Sequence, residues 1–219
     1  MYTKSKRTAA IVLNIIVILC TAGAVGSFWF SGGTGNMQVA GAKCLKFYTT
    51  LSNIFGGLGA LWALGCEIVS LKKPQMKLPL PAYWFRFSSA VCLAVTFITT
   101  ALFLSPLLVL RGGNYFLYFM GATFFLHFLT PLLTVLTVTR LEETENFEKK
   151  QVLLAVLPTL LYAVVYSFQV VRGPAHGGWN DFYGFTFGGN LILGAVSLLV
   201  MMGLAAAVSF GLAAICRRG

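Results

Sequence analysis

The stretch KFYTTLSNIFGGLGALWALGCEIVSL, residues 46–71, decides the fold. Beyond Asn53 it is apolar or small for long enough to cross a bilayer, which takes roughly 20 residues. Yet it opens with four hydrogen-bonding side chains, Thr49, Thr50, Ser52 and Asn53. The length reads as a membrane helix, and the polar opening raises the question of what those groups face.

Working outward, five further runs have the same character. The six are Thr8–Phe30, Leu45–Leu71, Tyr83–Leu110, Tyr115–Val138, Val152–Val171 and Phe187–Cys216. Lipid offers no partners to backbone N–H and C=O groups, so such runs close their hydrogen bonds internally as helices. Period-2 alternation, the mark of a barrel, is absent. The connections leave no room for a soluble domain. The expected fold is an all-α integral membrane protein, one six-helix transmembrane bundle over residues 1–219. Composition agrees: the chain is 58% hydrophobic and only 10% charged, with a mean hydropathy of +0.82, where an ordinary domain is about a quarter charged. The first run follows TKSKR but exceeds the roughly 7–15 residues of a signal-peptide core, so it reads as an uncleaved span.

The net charge of +10 is distributed by topology. Lys4, Lys6 and Arg7 precede the first helix. Lys72, Lys73, Lys77 and Arg86 fall in or near the second connection. Arg140, Lys149 and Lys150 fall in the fourth, and Arg217 and Arg218 end the chain. Only Lys43, Lys46, Arg111 and Arg172 belong to the other side. The positive-inside rule then places both termini in the cytoplasm. The basic balance fits anionic lipid at that face and excludes a nucleic-acid partner. Five cysteines without a C-x-x-C pair give neither a disulfide framework nor a thiolate metal site, and no cofactor is expected. The connection RLEETENFEKK, with alternating signs, reads as a solvated helical extension. RGPAHGGWNDFYGF, residues 172–185, reads as a shaped loop or an interfacial aromatic belt.

Polar side chains inside spans are costly and face the bundle interior. Thr123, His127, Thr130, Thr134 and Thr137 share one face of the fourth helix. Ser89, Cys92, Thr96 and Thr99 line the third. Thr49, Asn53, Gly56, Ala60 and Ala63 line the second, with Glu67 near its inner end, placed to reach Lys72 or Lys73. Threonine stripes commonly fasten helices together. His127 differs, because imidazole can take and return a proton near neutrality. A threonine hydroxyl attacks an ester when a nearby base removes its proton. His127 can be that base, with Asn53 or a backbone N–H at the helix start donating to the oxyanion. The aromatics Phe47, Phe55, Phe124, Phe125 and Phe128 are available as walls for acyl chains.

The elements Thr49-Thr50-Leu51-Ser52-Asn53, His127-Phe128-Leu129-Thr130-Pro131-Leu132-Leu133 and WNDFYGF, in that order across six spans, resemble a known family. It is that of the androgen-induced and androgen-dependent tissue-factor-pathway-inhibitor-regulating membrane hydrolases, and of the bacterial Pr6Pr-type membrane proteins. The resemblance implies an intramembrane threonine hydrolase acting on lipid esters such as fatty acid esters of hydroxy fatty acids. It implies Thr49 as nucleophile, with Thr50 as the neighbouring alternative, and His127 as base. Ser52, Asn53 and Asp181 are the supporting candidates, and a bacterial inner membrane is the implied location. Two other readings stand beside it: a small-molecule or lipid transporter with His127 as proton relay, and a packing subunit without catalysis. From the run boundaries, at about 1.5 Å per residue, Thr49 lies ~6 Å and His127 ~18 Å below the outer edge. Tilt, or an earlier start to the second helix near Gln38, would close that gap.

Overall fold

The computed structural model describes residues 4–34, 38–72, 78–142 and 147–217. Lys73, Lys77, Glu143 and Arg218 lie outside the described residues. Six helices are long and apolar enough to cross a membrane: α1 Lys4–Ser31, α2 Tyr48–Leu71, α3 Leu80–Leu110, α4 Ala122–Leu141, α5 Lys149–Arg172 and α6 Leu191–Cys216. No strand occurs among the described residues. Short 3-10 turns at Gly41–Lys46, Tyr115–Phe119 and Pro174–His176 shape the connections at the end opposite the termini.

The solvent that this bundle suits is lipid. Asn14, Thr50, Asn53, Arg86, Ser88 and Ser89 are fully buried, whereas Leu102, Ile192 and Leu199 are each about three-quarters exposed. Polar groups inside and large aliphatics outside invert the order of a water-soluble core. α1, α2 and α3 pack most extensively, and glycines on α2 allow it. A methyl group added at Gly56 would meet Leu93 at 2.5 Å, and one at Gly57 would meet Thr21 at 3.1 Å.

At the terminal end, charges that the sequence places in connections are instead drawn into the bundle. Arg86 is an α3 residue with no exposure; its Nε donates to Glu142 at 3.0 Å and its Nη2 to the Asn14 carbonyl oxygen of the side chain at 2.6 Å. Glu142 is thus buried rather than part of a solvated extension. Glu67 pairs with Arg7 at 3.3 Å, across α1 and α2; the side chains of Lys72 and Lys73, the partners that the sequence offers it, lie outside the described residues. The setting is common to all three: a charge near a helix end within lipid is held by an opposite charge on a neighbouring element.

Prolines accompany three of the irregularities; a further π turn over Thr137–Leu141 has none. Proline lacks an N–H and its ring crowds the carbonyl four residues back. Ahead of Pro106 the chain widens to a π turn over Thr100–Leu104, and ahead of Pro131 to another over Phe125–Leu129. The widened bonds run from Ser105 N–H to the Thr100 carbonyl and from Thr130 N–H to the Phe125 carbonyl. Tyr115 Oη donates to the Ala101 carbonyl at 2.9 Å, tying the first of these turns down. Pro158 breaks α5 at Ala155–Val156. There Ser88 donates to the Ala155 carbonyl at 2.9 Å and Ser209 to that of Val152 at 2.7 Å.

The fourth helix starts later than its apolar run. Residues 115–119 form a 3-10 turn, and α4 begins at Ala122 after Gly121, whose φ of +59° only glycine adopts easily. The Ala122 N–H is capped by the Thr34 hydroxyl at 2.8 Å, from the α1–α2 connection. This moves His127 from mid-span to the second turn of its helix, about 8 Å from the start.

Candidate functional site

That shift brings the two sequence-derived residues together. α2 begins at Tyr48, so Thr49 lies in its first turn. Thr49 Oγ1 lies 3.2 Å from His127 Nε2, with 5% and 2% of the two residues exposed. The other imidazole nitrogen, Nδ1, lies 2.7 Å from the Tyr118 carbonyl. A carbonyl only accepts, so Nδ1 carries the hydrogen, and in the neutral ring Nε2 presents its lone pair to the Thr49 hydroxyl. The π turn ahead of Pro131 contains His127, and the 3-10 turn supplies Tyr118; both irregularities serve this one side chain.

Two cavities meet at this hydroxyl. A mixed polar and apolar cavity of about 620 Å³ is lined by Gln38, Phe47, Tyr118, His127 and Phe182. A smaller one of about 50 Å³ runs between α3, α5 and α6, past Val95, Thr99, Ala163, Leu198 and Met201. Thr49, Leu104 and Tyr183 line both. Of the five phenylalanines read as acyl walls, Phe47 alone lines these spaces. Phe55 packs on Phe85, Phe124 on Phe128, and Phe125 is 37% exposed at the periphery.

The supporting candidates have other duties. Asn53 spends both amide hydrogens on carbonyls, that of Thr49 at 2.7 Å and that of Leu126 at 2.9 Å. It is therefore not available as an oxyanion donor; it ties the turn that carries Thr49 to the residue preceding His127. Ser52 donates to the Thr49 carbonyl at 3.1 Å and meets Thr96 Oγ1 at 2.8 Å, fastening α2 to α3. Thr50 is fully buried and lines neither cavity, with no partner for its hydroxyl among the described residues.

Asp181 organises the α5–α6 loop. Its carboxylate accepts from Tyr166 Oη and Thr186 Oγ1, both at 2.6 Å, and from the N–H groups of Gly184, Phe185 and Thr186. Burial pushes this carboxyl up, but the hydrogen bonds from Thr186, Tyr166 and Phe185 outweigh it and hold it below the usual carboxylate value. The clamp fixes Tyr183, which sequence reasoning passed over because WNDFYGF reads as an aromatic belt. Tyr183 Oη accepts the Tyr48 N–H at 2.8 Å, at the start of α2, and reaches the N–H and side chain of Thr49. Burial pushes this phenol up to about 12, so at neutral pH it keeps its proton.

No family model, no curated protein and no solved structure matches the chain. The functional reading therefore stands on the geometry of these residues.

Proposed function

We propose that this protein is an intramembrane hydrolase of lipid esters, with Thr49 as nucleophile and His127 as general base. The observation that carries the reading is the 3.2 Å contact from Thr49 Oγ1 to a nitrogen whose ring is oriented by the Tyr118 carbonyl. A nucleophile, a base in reach of it and a third group orienting the base make the constellation of covalent acyl transfer. In the reaction, Thr49 Oγ1 bonds to the ester carbonyl carbon as its proton passes to His127 Nε2. The tetrahedral adduct then expels the alcohol, which takes that proton. Water repeats the sequence on the acyl-threonine; a second alcohol in its place would make the protein an acyltransferase. The narrow apolar space on one side of Thr49 and the wider mixed polar and apolar cavity on the other suit a lipid ester with two unlike arms, such as a fatty acid ester of a hydroxy fatty acid. The resemblance to the androgen-induced membrane hydrolases supports the same assignment.

A lipophilic fluorophosphonate tests it, because only an activated hydroxyl attacks the phosphorus. Wild-type protein in lipid is expected to take the label, a long-chain ester to compete, and Thr49→Ala and His127→Ala each to abolish it. The two residues act as a unit, so the double variant is expected to be no worse than either single one. Labelling that survives both single substitutions, or wild type that takes none, sinks the assignment.

We further propose that the termini are cytoplasmic and that the site opens at the outer leaflet of a bacterial inner membrane. Basic residues crowd the terminal end even with Arg7 and Arg86 drawn into ion pairs. A cysteine placed at His176 is expected to react with an impermeant maleimide on intact cells, and one at Lys150 only after lysis. The reverse pattern would invert the topology.

A further inference from the structure

The hydrolase reading leaves one requirement open: the negative charge that develops on the carbonyl oxygen needs a donor already in place. We infer that Tyr183 is that donor, its phenolic O–H binding the oxyanion beside Thr49. The inference rests on the hydrolase reading and names a catalytic group for the same site.

Elimination and geometry agree. Asn53 has both amide hydrogens committed to carbonyls. The Tyr48 N–H, the exposed donor of the helix start, points at Tyr183 Oη and not into a cavity. Tyr162, whose hydroxyl lies against that of Tyr183, donates its own hydrogen to the Lys46 carbonyl at 2.7 Å. Tyr183 is left with the opposite balance. Its oxygen receives the Tyr48 N–H and lies toward that of Thr49. N–H groups thus engage its lone pairs, and its hydrogen lies among the hydroxyl oxygens of Thr49 and Tyr162, from which it turns to the oxygen of an ester bonded to Thr49.

The position also suits the task. Tyr183 and Thr49 both line both cavities, so a carbonyl carbon over Thr49 Oγ1 holds its oxygen within range of the phenol. The N-terminus of α2, a helix of 24 residues, adds its positive end at the same point. Preorganisation comes from the loop. The Tyr183 N–H meets Tyr166 Oη at 3.3 Å, Tyr166 in turn donates to Asp181, and the Asp181 carboxylate gathers the N–H groups of residues 184 to 186. Such a donor does not reorganise when charge appears. In the step itself, the Thr49 Oγ1–carbon bond forms, the Thr49 proton goes to His127 Nε2, and the carbonyl π pair moves onto oxygen. Tyr183 hydrogen-bonds that oxygen and keeps its proton. When the adduct collapses the pair returns to the C=O bond and the alcohol leaves with the proton from His127.

Tyr183→Phe retains the ring among Tyr166, Phe182 and Phe185 and removes only the hydroxyl. On a long-chain p-nitrophenyl ester, kcat is expected to fall about a hundredfold or more. KM, and the binding of an ether-linked analogue that cannot be cleaved, are expected to stay at the wild-type values. Tyr115→Phe, which removes a hydroxyl that donates to the Ala101 carbonyl and lines neither cavity, is the control and is expected to have little effect on kcat. Phenylalanine also deprives the Tyr48 N–H of its acceptor, so 3-fluorotyrosine at position 183 provides a second measurement. It keeps the oxygen, makes the phenol more acidic, and is expected to move the alkaline limb of the pH–rate profile to lower pH. Wild-type protein without turnover or Thr49-dependent labelling overturns the hydrolase reading and this inference with it. An active wild type whose Tyr183→Phe variant keeps its kcat, or loses only KM, overturns the donor role and leaves Thr49 and His127 standing. If that variant fails to fold, a fluorotyrosine protein with an unmoved alkaline limb overturns it instead.

Discussion

Each nitrogen of His127 has one partner, and the two partners belong to different parts of the chain: a carbonyl nine residues earlier in a 3-10 turn, and a hydroxyl on α2. The spacing between those parts is set by Asn53. Its amide spans from the Thr49 carbonyl to the Leu126 carbonyl, so one side chain holds the nucleophile's turn against the base's turn. Asn53→Leu keeps the volume and removes both donors. The Thr49 carbonyl keeps the Ser52 hydroxyl, but the Leu126 carbonyl loses Asn53, and a buried carbonyl left without a partner costs about 1–3 kcal/mol; a misplacement of about 1 Å between reacting groups can cost about a hundredfold in rate. The variant is expected to lose ten- to a hundredfold in kcat, about that range for such a displacement, with a lower melting temperature. The esterase rate and the thermal unfolding of the purified variant check both. An unchanged rate would show that α2 and α4 keep their register without this amide, and Asn53 would then be a packing residue.

At the scale of elements, the motif His127-x-x-x-Pro131 has a mechanical meaning. The ring of Pro131 crowds the carbonyl of His127, four residues earlier, and the backbone yields by widening into the π turn that contains the imidazole. With alanine at 131 the turn can close to ordinary α geometry. One residue of register then separates the two halves of α4, a rotation of about 100°. Pro131→Ala is therefore expected to raise the melting temperature, since proline in a helix interior costs about 3 kcal/mol, while probe labelling at Thr49 is lost. A variant that labels normally would mean that packing around α4, and not proline, holds the turn open. The sequence shows this proline but not what it does. The same holds for the start of α4. The apolar run from Tyr115 is continuous, and its first five residues turn away because Gly121 has a positive φ and because the cap, Thr34, lies far upstream. Helix existence and the Thr49 and His127 faces are legible because lipid makes apolar length and polar periodicity strong signals. The depth match between the two faces rests on a cap, a turn and a proline acting together, and only the first of these effects is long-range in the chain. Tyr183 is hidden for a different reason: a catalytic phenol and an interfacial one have the same local sequence.

The molecule as a whole divides its polar groups between two ends. Opposite the termini they surround cavities at Thr49; at the terminal end they close on one another. Arg86, with Glu142 and Asn14, joins α3 to α1 and to the end of α4, and Arg7 with Glu67 joins α1 to α2. A bundle that opens beside a lipid-facing site needs its other end held, and buried ion pairs hold it in a way that depends on both partners. Removing one partner of a buried pair leaves an uncompensated charge and costs about 3–5 kcal/mol. Glu142→Gln is accordingly expected to lower thermal stability by about that amount. Replacing both, as Arg86→Met with Glu142→Leu, removes the charge along with its partner. Stability is then expected to recover most of the loss, since a well-packed apolar pair is often no worse than a buried ionic one. The catalytic rate per folded molecule should follow neither change, because Thr49, His127 and Tyr183 lie at the other end. Unfolding in a fixed detergent, with the fluorophosphonate-labelled fraction measured on the same samples, separates the two quantities. If the double variant is as unstable as Glu142→Gln, the pair is held for the geometry Asn14 and Gly56 give Arg86 and not for its charge. If labelling falls in proportion to the loss of the pair while the protein stays folded, the two ends are coupled, and the ion pairs belong to the working of the site.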